Sequence, residues 1–317
     1  LQLQSIAHGL IMMEGLERDF GVKRRRIEIR KLRGSSYREG YHDYTIRRGG
    51  ISVYPRLIAA EHKPEFERKA VTSGLAELDQ LFGGGIDAGT STLFVGPAGC
   101  GKSTVAIRYA ISAADRGEKA MVFAFDEARE TLIQRSKGLG MDPSEFLASG
   151  MLEIQQVDPA ELAPGEFVSR VRHLVETDNL RVLVIDSMNG FLNGMPHEQF
   201  LALQLHELLS YLGQQGVATI MTLAQHGYIG SMQSPIDVSY LADTVLLFRY
   251  FEFAGEIRQA LSVIKKRSGS HEKAIRELIF TRNQVSVGRP LREFEGVLTG
   301  VPTFVGDASQ VERSPVS

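Results

Sequence analysis

Cysteine and tryptophan are scarce in this sequence of 317 residues: Cys100 is the single cysteine, and there is no tryptophan. One cysteine cannot form a disulfide within the chain, which excludes a disulfide-stapled domain and indicates a reducing cytoplasm. Long apolar segments are also missing, since no run approaches the roughly 20 residues that a transmembrane helix needs. The first residues lack the charged and apolar regions of a signal peptide. We therefore expect a cytoplasmic protein that does not span a membrane.

The chain also lacks an excess of charge of either sign. It has 36 Lys and Arg against 38 Asp and Glu, a net charge of −2, so no overall attraction to nucleic acid or an anionic membrane is expected. The most basic run, 23–26, continues with Ile27 and Ile29 alternating with charged residues. This alternation favours a half-buried strand with a solvated face over a nucleic-acid patch. Nucleic acid is therefore not an expected partner.

Residues 96–104 have the spacing GxxxxGK[ST] of a phosphate-binding loop, or P-loop. The motif follows the apolar run 92–95 and opens into 105–110, so it lies between a predicted strand and a predicted helix, as the motif requires. Glycines let backbone N–H groups turn toward a phosphate, and the helix N-terminus adds unpaired donors. Lys102 can then reach the terminal phosphates, and Ser103 can offer its hydroxyl to Mg²⁺. We predict a nucleoside triphosphate site built from Gly96, Gly99, Cys100, Gly101, Lys102, Ser103 and Thr104.

Strand and helix patterns alternate along the chain after the P-loop strand. The strands predicted from apolar runs are 92–95, 120–125, 181–186 and 217–223, and the predicted helices are the segment after Lys102, 130–138, 166–177 and 197–215. This alternation predicts an α/β fold with a mostly parallel sheet that helices cover on both faces. The last third is rich in strand patterns and predicts an antiparallel extension.

Three carboxylates follow strands that should end beside the P-loop. Asp186 ends a buried apolar strand, where a Walker B carboxylate would hold Mg²⁺ together with the Ser103 hydroxyl. The alternative is an aspartate that caps the next turn. Asp126 and Glu127 follow the strand 120–125, where a carboxylate can orient or deprotonate an attacking hydroxyl, although an exposed acidic loop would have the same sequence. We predict that the pair is catalytic and leave open which carboxylate is the base.

The first sixty residues resemble the last eighty. The basic segment 24–33 precedes Gly-Ser-Ser as 259–267 precedes Ser-Gly-Ser, and 45–53 resembles 280–287. The spacing between the matching segments is nearly constant, which indicates an internal repeat. We expect that the chain begins inside a first copy of the unit, one without a P-loop.

Two basic residues recur in this repeat: Lys265 and Arg267 correspond to Lys31 and Arg33. An exposed basic strand would explain each residue but not their recurrence in the same frame. Cations that neutralise charge in phosphoryl transfer often come from a neighbouring subunit. We therefore predict that Lys265 and Arg267 are catalytic and act in trans.

Taken together, the motifs resemble the KaiC family, the RecA-superfamily ATPases and autokinases of the bacterial circadian clock, over almost the whole chain. The segments that carry the resemblance are 73–79, 96–103, 123–127, 140–142, 184–187, 241–244 and 271–277. The resemblance implies a homohexameric ring with ATP between subunits, so that Lys265 and Arg267 would reach the γ-phosphate of the next protomer. It also implies phosphate transfer to hydroxyl side chains, and partner proteins of a clock or signalling system.

The resemblance further implies two tandem RecA-like domains and their boundaries. The expected division is 1–58 as the C-terminal tail of a first RecA-like domain, 59–71 as a linker, 72–306 as a complete RecA-like ATPase and autokinase domain, and 307–317 as a disordered tail.

Three positions depart from the family's pattern. Where the family has two adjacent glutamates, this chain has Asp126 and Glu127. The shorter aspartate moves a carboxylate back by about 1.5 Å, one Cα–C bond length. This change favours hydrolysis over phosphotransfer. The adjacent Ser-Thr phosphorylation pair falls on Ser239 and Tyr240, so Ser239 is the expected acceptor. At the position where the family has an aromatic residue that packs on adenine, this chain has Leu139. We expect an ATP- and magnesium-dependent ATPase with Ser autokinase activity.

Two other functions stay open on the sequence alone. A DNA-dependent RecA-like recombinase or helicase would carry the same P-loop, and single-stranded DNA would stimulate its hydrolysis. A scaffold whose ring assembly is gated by ATP would turn over slowly and transfer no phosphate. The near-neutral charge argues against the first of these alternatives.

Overall fold

A computed structural model describes residues 6–17, 21–62, 66–67, 69–193, 201–225, 240–299 and 302–306. Within these ranges the chain forms a nine-stranded sheet, a four-stranded sheet near its N-terminal end, and two short two-stranded ribbons. The strands are β1 (Gly9–Leu16), β2 (Arg24–Leu32), β3 (His42–Arg47), β4 (Gly50–Tyr54), β5 (Ala70–Val71), β6 (Ile86–Asp87), β7 (Ser91–Gly96), β8 (Ala120–Ala124), β9 (Leu152–Gln156), β10 (Val182–Asp186), β11 (Ala218–Ala224), β12 (Thr244–Phe253), β13 (Glu256–Lys266), β14 (Arg276–Thr281), β15 (Gln284–Pro290), β16 (Phe294–Glu295) and β17 (Thr303–Phe304). The helices are α1 (Ala76–Leu81), α2 (Lys102–Asp115), α3 (Arg129–Gly138), α4 (Ser144–Ala148), α5 (Pro164–Asp178), α6 (Met188–Asn193) and α7 (Leu201–Gln214).

The large sheet has the order β15-β14-β13-β12-β7-β11-β10-β8-β9. The strands from β12 to β9 pair in parallel, whereas β13, β14 and β15 pair antiparallel. The residues of β7, β8 and β10 are all buried, as expected for strands that are covered on both faces. This arrangement confirms the predicted α/β fold with its antiparallel extension.

Helices cover the two faces of the large sheet and form an apolar core on each. One core contains Phe167 of α5, Phe191 of α6 and Leu208 of α7. The other contains Leu81 of α1 and the P-loop helix α2. The predicted helix 197–215 is described from Leu201 to Gln214. As expected of an amphipathic helix, its buried leucines recur at helical spacing: Leu201, Leu205, Leu208, Leu209 and Leu212.

The N-terminal sheet repeats the topology of the antiparallel extension. Its order β1-β2-β3-β4 matches β12-β13-β14-β15, and neighbouring strands pair antiparallel in both. Both first strand pairs contain an irregularity at the same place, between Leu10 and Ile11 in one and between Val245 and Leu246 in the other. The internal repeat seen in the sequence is therefore also a repeat of register.

The N-terminal sheet packs against helix α5. Asp43 of β3 accepts a hydrogen bond from the Gly165 backbone N–H at 2.7 Å, in the first turn of α5, where amide groups lack helical partners. Arg47 forms an ion pair with the largely buried Glu166. Outside the sheet, the Val22 N–H donates to the Ala160 carbonyl at 3.2 Å.

Part of the predicted linker 59–71 has regular structure. Ala59–Glu61 is a 3-10 turn, and the Ala59 N–H donates to Glu207 of α7 at 3.0 Å. Strand β5 pairs with β6, just before the P-loop strand. These contacts could not be predicted from the segment's own sequence, because they depend on residues that are distant along the chain. The predicted disordered tail, 307–317, lies outside the described residues.

Candidate active site

The P-loop connects β7 to α2, as its motif predicts. Gly99 and Gly101 have φ angles of 77° and 99°, the left-handed region that favours glycine. A Cβ on Gly101 would lie 2.6 Å from the Phe280 ring and 2.8 Å from Leu278, and one on Gly99 would lie 2.8 Å from the Tyr250 hydroxyl. Glycine is therefore required at both positions for conformation and for space.

Side chains of strands β12 and β14 therefore pack against the P-loop. The Tyr250 hydroxyl donates to the Ala98 carbonyl at 3.1 Å, and Phe280 lies against Gly101. This support could not be predicted from the sequence, because both residues lie more than 140 positions away from the loop and have the pattern of ordinary strand aromatics. They make the antiparallel extension part of the P-loop's scaffold.

Lys102 is buried, and its ammonium group bonds to the loop itself. Its Nζ donates to the carbonyls of Gly96 at 2.9 Å and Pro97 at 2.6 Å, and lies 3.7 Å from Cys100 Sγ. Burial raises the pKa of the Cys100 thiol, although the Lys102 charge acts in the opposite direction. Cys100 is therefore a protonated, fully buried side chain beneath the loop.

The two predicted metal ligands lie together. Asp186 ends β10 and is buried, and Ser103 Oγ donates to its Oδ1 at 3.0 Å. Thr222 of the neighbouring strand β11 donates to the same oxygen at 2.5 Å. A hydroxyl and a carboxylate oxygen are hard oxygen donors of the kind that Mg²⁺ takes, alongside phosphate oxygens. The donor set therefore fits magnesium, while no group of three or more His, Cys, Asp or Glu side chains that could hold a metal occurs in the described ranges.

Thr222 was not predicted from the sequence. In retrospect, its position near the carboxyl end of an apolar strand was a usable signal, since the ends of adjacent parallel strands converge on the ligand.

Asp126 lies beside Asp186 at the carboxyl edge of the sheet, because β8 pairs with β10 with Ala124 opposite Asp186. Asp126 is exposed, and its Oδ2 accepts a hydrogen bond from Ser187 Oγ. Its other carboxylate oxygen lies close to Gly190, where a Cβ would come within 2.4 Å of Oδ1.

Glu127, the second carboxylate of the pair, is bound on both oxygens by Arg135 of α3. Arg135 Nη2 donates to Oε2 at 2.7 Å and Nε to Oε1 at 3.3 Å, while Nη1 donates to Thr104 Oγ1 at 2.6 Å. The predicted nucleotide contact Thr104 is therefore linked to the predicted catalytic loop. No sequence pattern indicated that Arg135 would contact Glu127. The two residues are eight positions apart, and Glu127 precedes the helix that contains Arg135.

Leu139, the predicted adenine contact, follows helix α3 and is half-buried against the apolar core that also includes Phe280. The next residue, Gly140, lies under the β14–β15 turn, and a Cβ there would be 2.1 Å from the Asn283 carbonyl oxygen. Its contact with adenine stays a prediction.

Lys265 and Arg267 are not brought to the P-loop of their own chain. Lys265 pairs with Val245, which lies opposite Leu93 near the start of β7, whereas the P-loop follows the end of that strand. Lys265 Nζ donates to the Ala242 carbonyl at 2.7 Å, and Arg267 forms an ion pair with Asp243 at 3.3 Å. Their predicted action in trans stays a prediction.

The predicted phosphate acceptor Ser239 lies outside the described residues, and its neighbour Tyr240 is exposed. Among the helices that the structure describes, none has the length and hydropathy to cross a membrane.

Comparisons with known proteins agree with this arrangement. The family model described as "ATPase: KaiC" matches residues 71–292. The chain is 27% identical over 296 residues to the circadian clock oscillator protein KaiC of Thermostichus vulcanus, which covers 93% of this chain and 57% of the relative. It is 29% identical over 293 residues to the circadian clock protein KaiC3 of Synechocystis sp., covering 92% and 57%.

A further relative is the KaiC oscillator protein of Synechococcus elongatus, 28% identical over 294 residues, with 92% of this chain and 56% of the relative covered. The chain thus spans a little over half the length of these curated relatives. Because the family model covers well over half of the chain, including the P-loop, both carboxylate strands and the antiparallel extension, the chain belongs to the KaiC family of ATPases.

Proposed function

We propose that residues 72–306 form a magnesium-dependent ATPase whose site is completed by a neighbouring copy of the chain. The single observation that supports this most strongly is the 3.0 Å hydrogen bond from Ser103 Oγ to Asp186 Oδ1 at the mouth of the P-loop. It brings the hydroxyl and the carboxylate that would hold Mg²⁺ within reach of one cation. Bound magnesium would neutralise charge on the transferred phosphoryl group.

In this proposal Lys102 changes partners when ATP binds. Its ammonium group has three N–H donors, and the carbonyls of Gly96 and Pro97 accept two of them. Phosphate oxygens carry more negative charge than carbonyls, so the ammonium group exchanges neutral acceptors for charged ones. Backbone N–H groups of the loop and of the first turn of α2 bind the remaining phosphate oxygens.

We assign the role of base to Asp126. Its carboxylate is exposed and accepts its hydrogen bond from a neutral hydroxyl, that of Ser187. Both oxygens of Glu127, by contrast, are bound by the charged Arg135. A carboxylate whose negative charge is not shared with a guanidinium is better able to accept a proton from water or from a side-chain hydroxyl.

Lys265 and Arg267 are assigned to the neighbouring site in a homohexameric ring. Two observations support this: both lie away from their own P-loop, and Arg267 is exposed. Cations of this kind stabilise the charge that develops on the phosphoryl group in the transition state.

We further propose that Ser239 is phosphorylated in this ring and that the protein acts in timing or signalling with protein partners. Support comes from the resemblance at the P-loop and the carboxylate pair, and from relatives named as circadian clock oscillator proteins. The matching register of β1–β4 and β12–β15 supports the view that residues 1–58 are the end of a first RecA-like domain, joined by the linker 59–71.

Phosphate release from Mg·ATP tests the ATPase proposal. We expect hydrolysis by the full chain, loss of activity in Lys102→Ala and Asp186→Asn, and no change in Glu130→Gln. Glu130 is a matched acidic control, since it is exposed in the first turn of α3 and away from the P-loop contacts. Hydrolysis that survives both site variants would contradict the assignment.

Intact-mass spectrometry after incubation with Mg·ATP, followed by peptide mapping, tests the autokinase proposal. Phosphate on Ser239 that disappears in Ser239→Ala would support it. An unmodified mass alongside steady ADP release would contradict it and would leave an ATPase, as the shorter Asp126 side chain suggests. Phosphate release measured with and without single-stranded DNA separates a recombinase or helicase from both.

A further inference from the structure

One guanidinium group connects the two parts of the candidate active site. Arg135, in the last turn of α3, contacts Glu127 through two N–H groups and Thr104 through a third. Thr104 is buried in the first turn of the P-loop helix α2, directly after the predicted magnesium ligand Ser103. These contacts form a direct hydrogen-bonded link from the P-loop helix to the segment that contains the carboxylate pair.

We propose that Arg135 is a positioning residue that holds Glu127, and through it the adjacent base Asp126, against the P-loop helix. This inference rests on the proposed ATPase function. Arginine suits the task because its planar fork binds both oxygens of a carboxylate in one fixed orientation. A lysine would supply the charge without this geometry.

The location of the carboxylate pair explains why such a link is needed. Asp126 and Glu127 lie in the irregular segment 125–128 between β8 and α3, so no ladder of helix or strand hydrogen bonds fixes them. The carboxylate of Asp126 itself is held by the hydroxyl of Ser187. The Phe125 backbone N–H donates to the Asp186 carbonyl at 2.6 Å, so the start of the segment is attached to β10. The Arg135 contacts are what attach Glu127 to the P-loop helix.

The exposure of the ion pair separates positioning from stability. The side chains of Arg135 and Glu127 are 31% and 27% exposed, and ion pairs that are open to solvent contribute little to folding. Catalysis is far more sensitive, since a displacement of about 1 Å can reduce a rate by about 100-fold. Loss of Arg135 should therefore affect turnover much more than folding.

A double-mutant cycle on the full chain tests this role. The variants are Arg135→Met, Glu127→Ala and the double variant, with steady-state hydrolysis of Mg·ATP as the readout. We expect Arg135→Met to lower kcat by about 10- to 100-fold with little change in KM, and Glu127→Ala to do the same. Because Arg135 acts through Glu127, the double variant should be no slower than the slower single variant. Arg135→Lys should fall between wild type and Arg135→Met.

The matched control is Lys137→Met, which removes an exposed, ion-paired cation two residues further along α3. It should leave kcat and KM unchanged and shift the melting temperature as little as Arg135→Met does. Multiplicative losses in the double variant, or a wild-type rate in Arg135→Met, would overturn the proposal. Multiplicative losses would indicate that Arg135 touches the phosphates directly.

Amide hydrogen exchange tests whether Arg135 holds the segment 125–128, and this test does not depend on ATP hydrolysis. We expect residues 125–128 to exchange faster in Arg135→Met than in wild type or Lys137→Met. Unchanged exchange in this segment would overturn the positioning role even if the variant hydrolyses ATP slowly. A wild-type protein without hydrolysis would instead contradict the ATPase proposal, and the exchange measurement would still test the link.

Discussion

Two parts of this chain have the same strand topology but different surroundings. Strands β1–β4 and β12–β15 share their order, their antiparallel pairing and the position of the irregularity in the first pair. Even a loop contact recurs: the Arg33 N–H donates to the His8 carbonyl at 2.9 Å, as the Arg267 N–H does to the Asp243 carbonyl, also at 2.9 Å. Local pattern and register therefore define this unit independently of what it packs against.

The surroundings decide which side chains are buried. In the second copy, β12 pairs with the P-loop strand, and Leu246 and Val285 are almost fully buried. The equivalent residues in the first copy, Ile11 and Ile51, are 57% and 52% exposed. The antiparallel unit therefore keeps its strand order and register in two different surroundings. Of the two copies, the second lies beside the P-loop and contacts it through Tyr250.

The largest expected difference between the copies concerns their equivalent arginines. Arg267→Ala should reduce ATP hydrolysis by about a thousandfold or more, the effect of removing a cation that stabilises the transferred phosphoryl group. Arg33→Ala, the same change in the first copy, should leave turnover at this P-loop unchanged. Phosphate release at saturating Mg·ATP measures both. Equal losses in the two variants would mean that the arginines act through folding or assembly.

The next difference is in packing. Leu246→Ala should cost about 2–5 kcal/mol of unfolding free energy because it removes a fully buried side chain. The equivalent change Ile11→Ala should cost no more than about 0.5 kcal/mol, since the side chain is largely exposed. Urea titrations of both variants supply the comparison. A similar cost at both sites would show that the face of the N-terminal sheet is covered in solution.

A smaller difference concerns the helix contact of the first copy. Asp43→Ala should destabilise the protein by about 1–2 kcal/mol, because it leaves the Gly165 N–H at the start of α5 without its side-chain acceptor. Glu277 occupies the matching position in the second copy, where it lies 3.6 Å from Arg258 and bonds to no helix N-terminus that the structure describes. Glu277→Ala should therefore cost less in the same titrations, and the reverse ranking would contradict this difference.

The smallest effect is a pH dependence at Glu277. Burial raises the pKa of this carboxyl above its ordinary value of 4.5, although Arg258 acts in the opposite direction. The folded state therefore holds the proton at a higher pH than the unfolded state, so the contribution of Glu277 to stability falls as the pH rises from below 4.5 through the raised pKa. Glu277→Gln should lose less stability than wild type over that window.

Unfolding titrations at a series of pH values check the Glu277 effect, with the exposed Glu252→Gln of β12 as the control. A wild-type pH profile in Glu277→Gln would contradict it.

Much of the fold follows from residues that are close in sequence. The P-loop spacing, the buried run that ends in Asp186 and the amphipathic leucines of α7 define strands, helices and their order, because periodicity reports which face is buried. The internal repeat that includes Lys31 and Lys265 also indicated that the segments around them would share a topology. Strand β5 could not be predicted in the same way, because its pairing with β6 depends on chain segments brought together by folding.

The residues of the candidate site also differ in whether the local sequence identifies them. The positions of Lys102, Ser103 and Asp186 at one edge of the sheet follow from the sequence, because each belongs to a motif with fixed local geometry; their roles stay predictions. Thr222 and Arg135 could not be predicted in this way, since their roles arise from hydrogen bonds to residues 36 and 31 positions away. Sequence patterns locate motif residues more readily than the distant residues that form hydrogen bonds to them.

We propose that ATP is hydrolysed at a site shared between two copies of this chain. The most direct measurement is phosphate release from assemblies in which Asp126→Asn chains and Arg267→Ala chains are co-expressed, compared with each variant alone. We expect two nearly inactive single variants and recovered hydrolysis in the mixture, because some interfaces then combine an intact base with an intact arginine. No recovery at any mixing ratio would contradict a shared site.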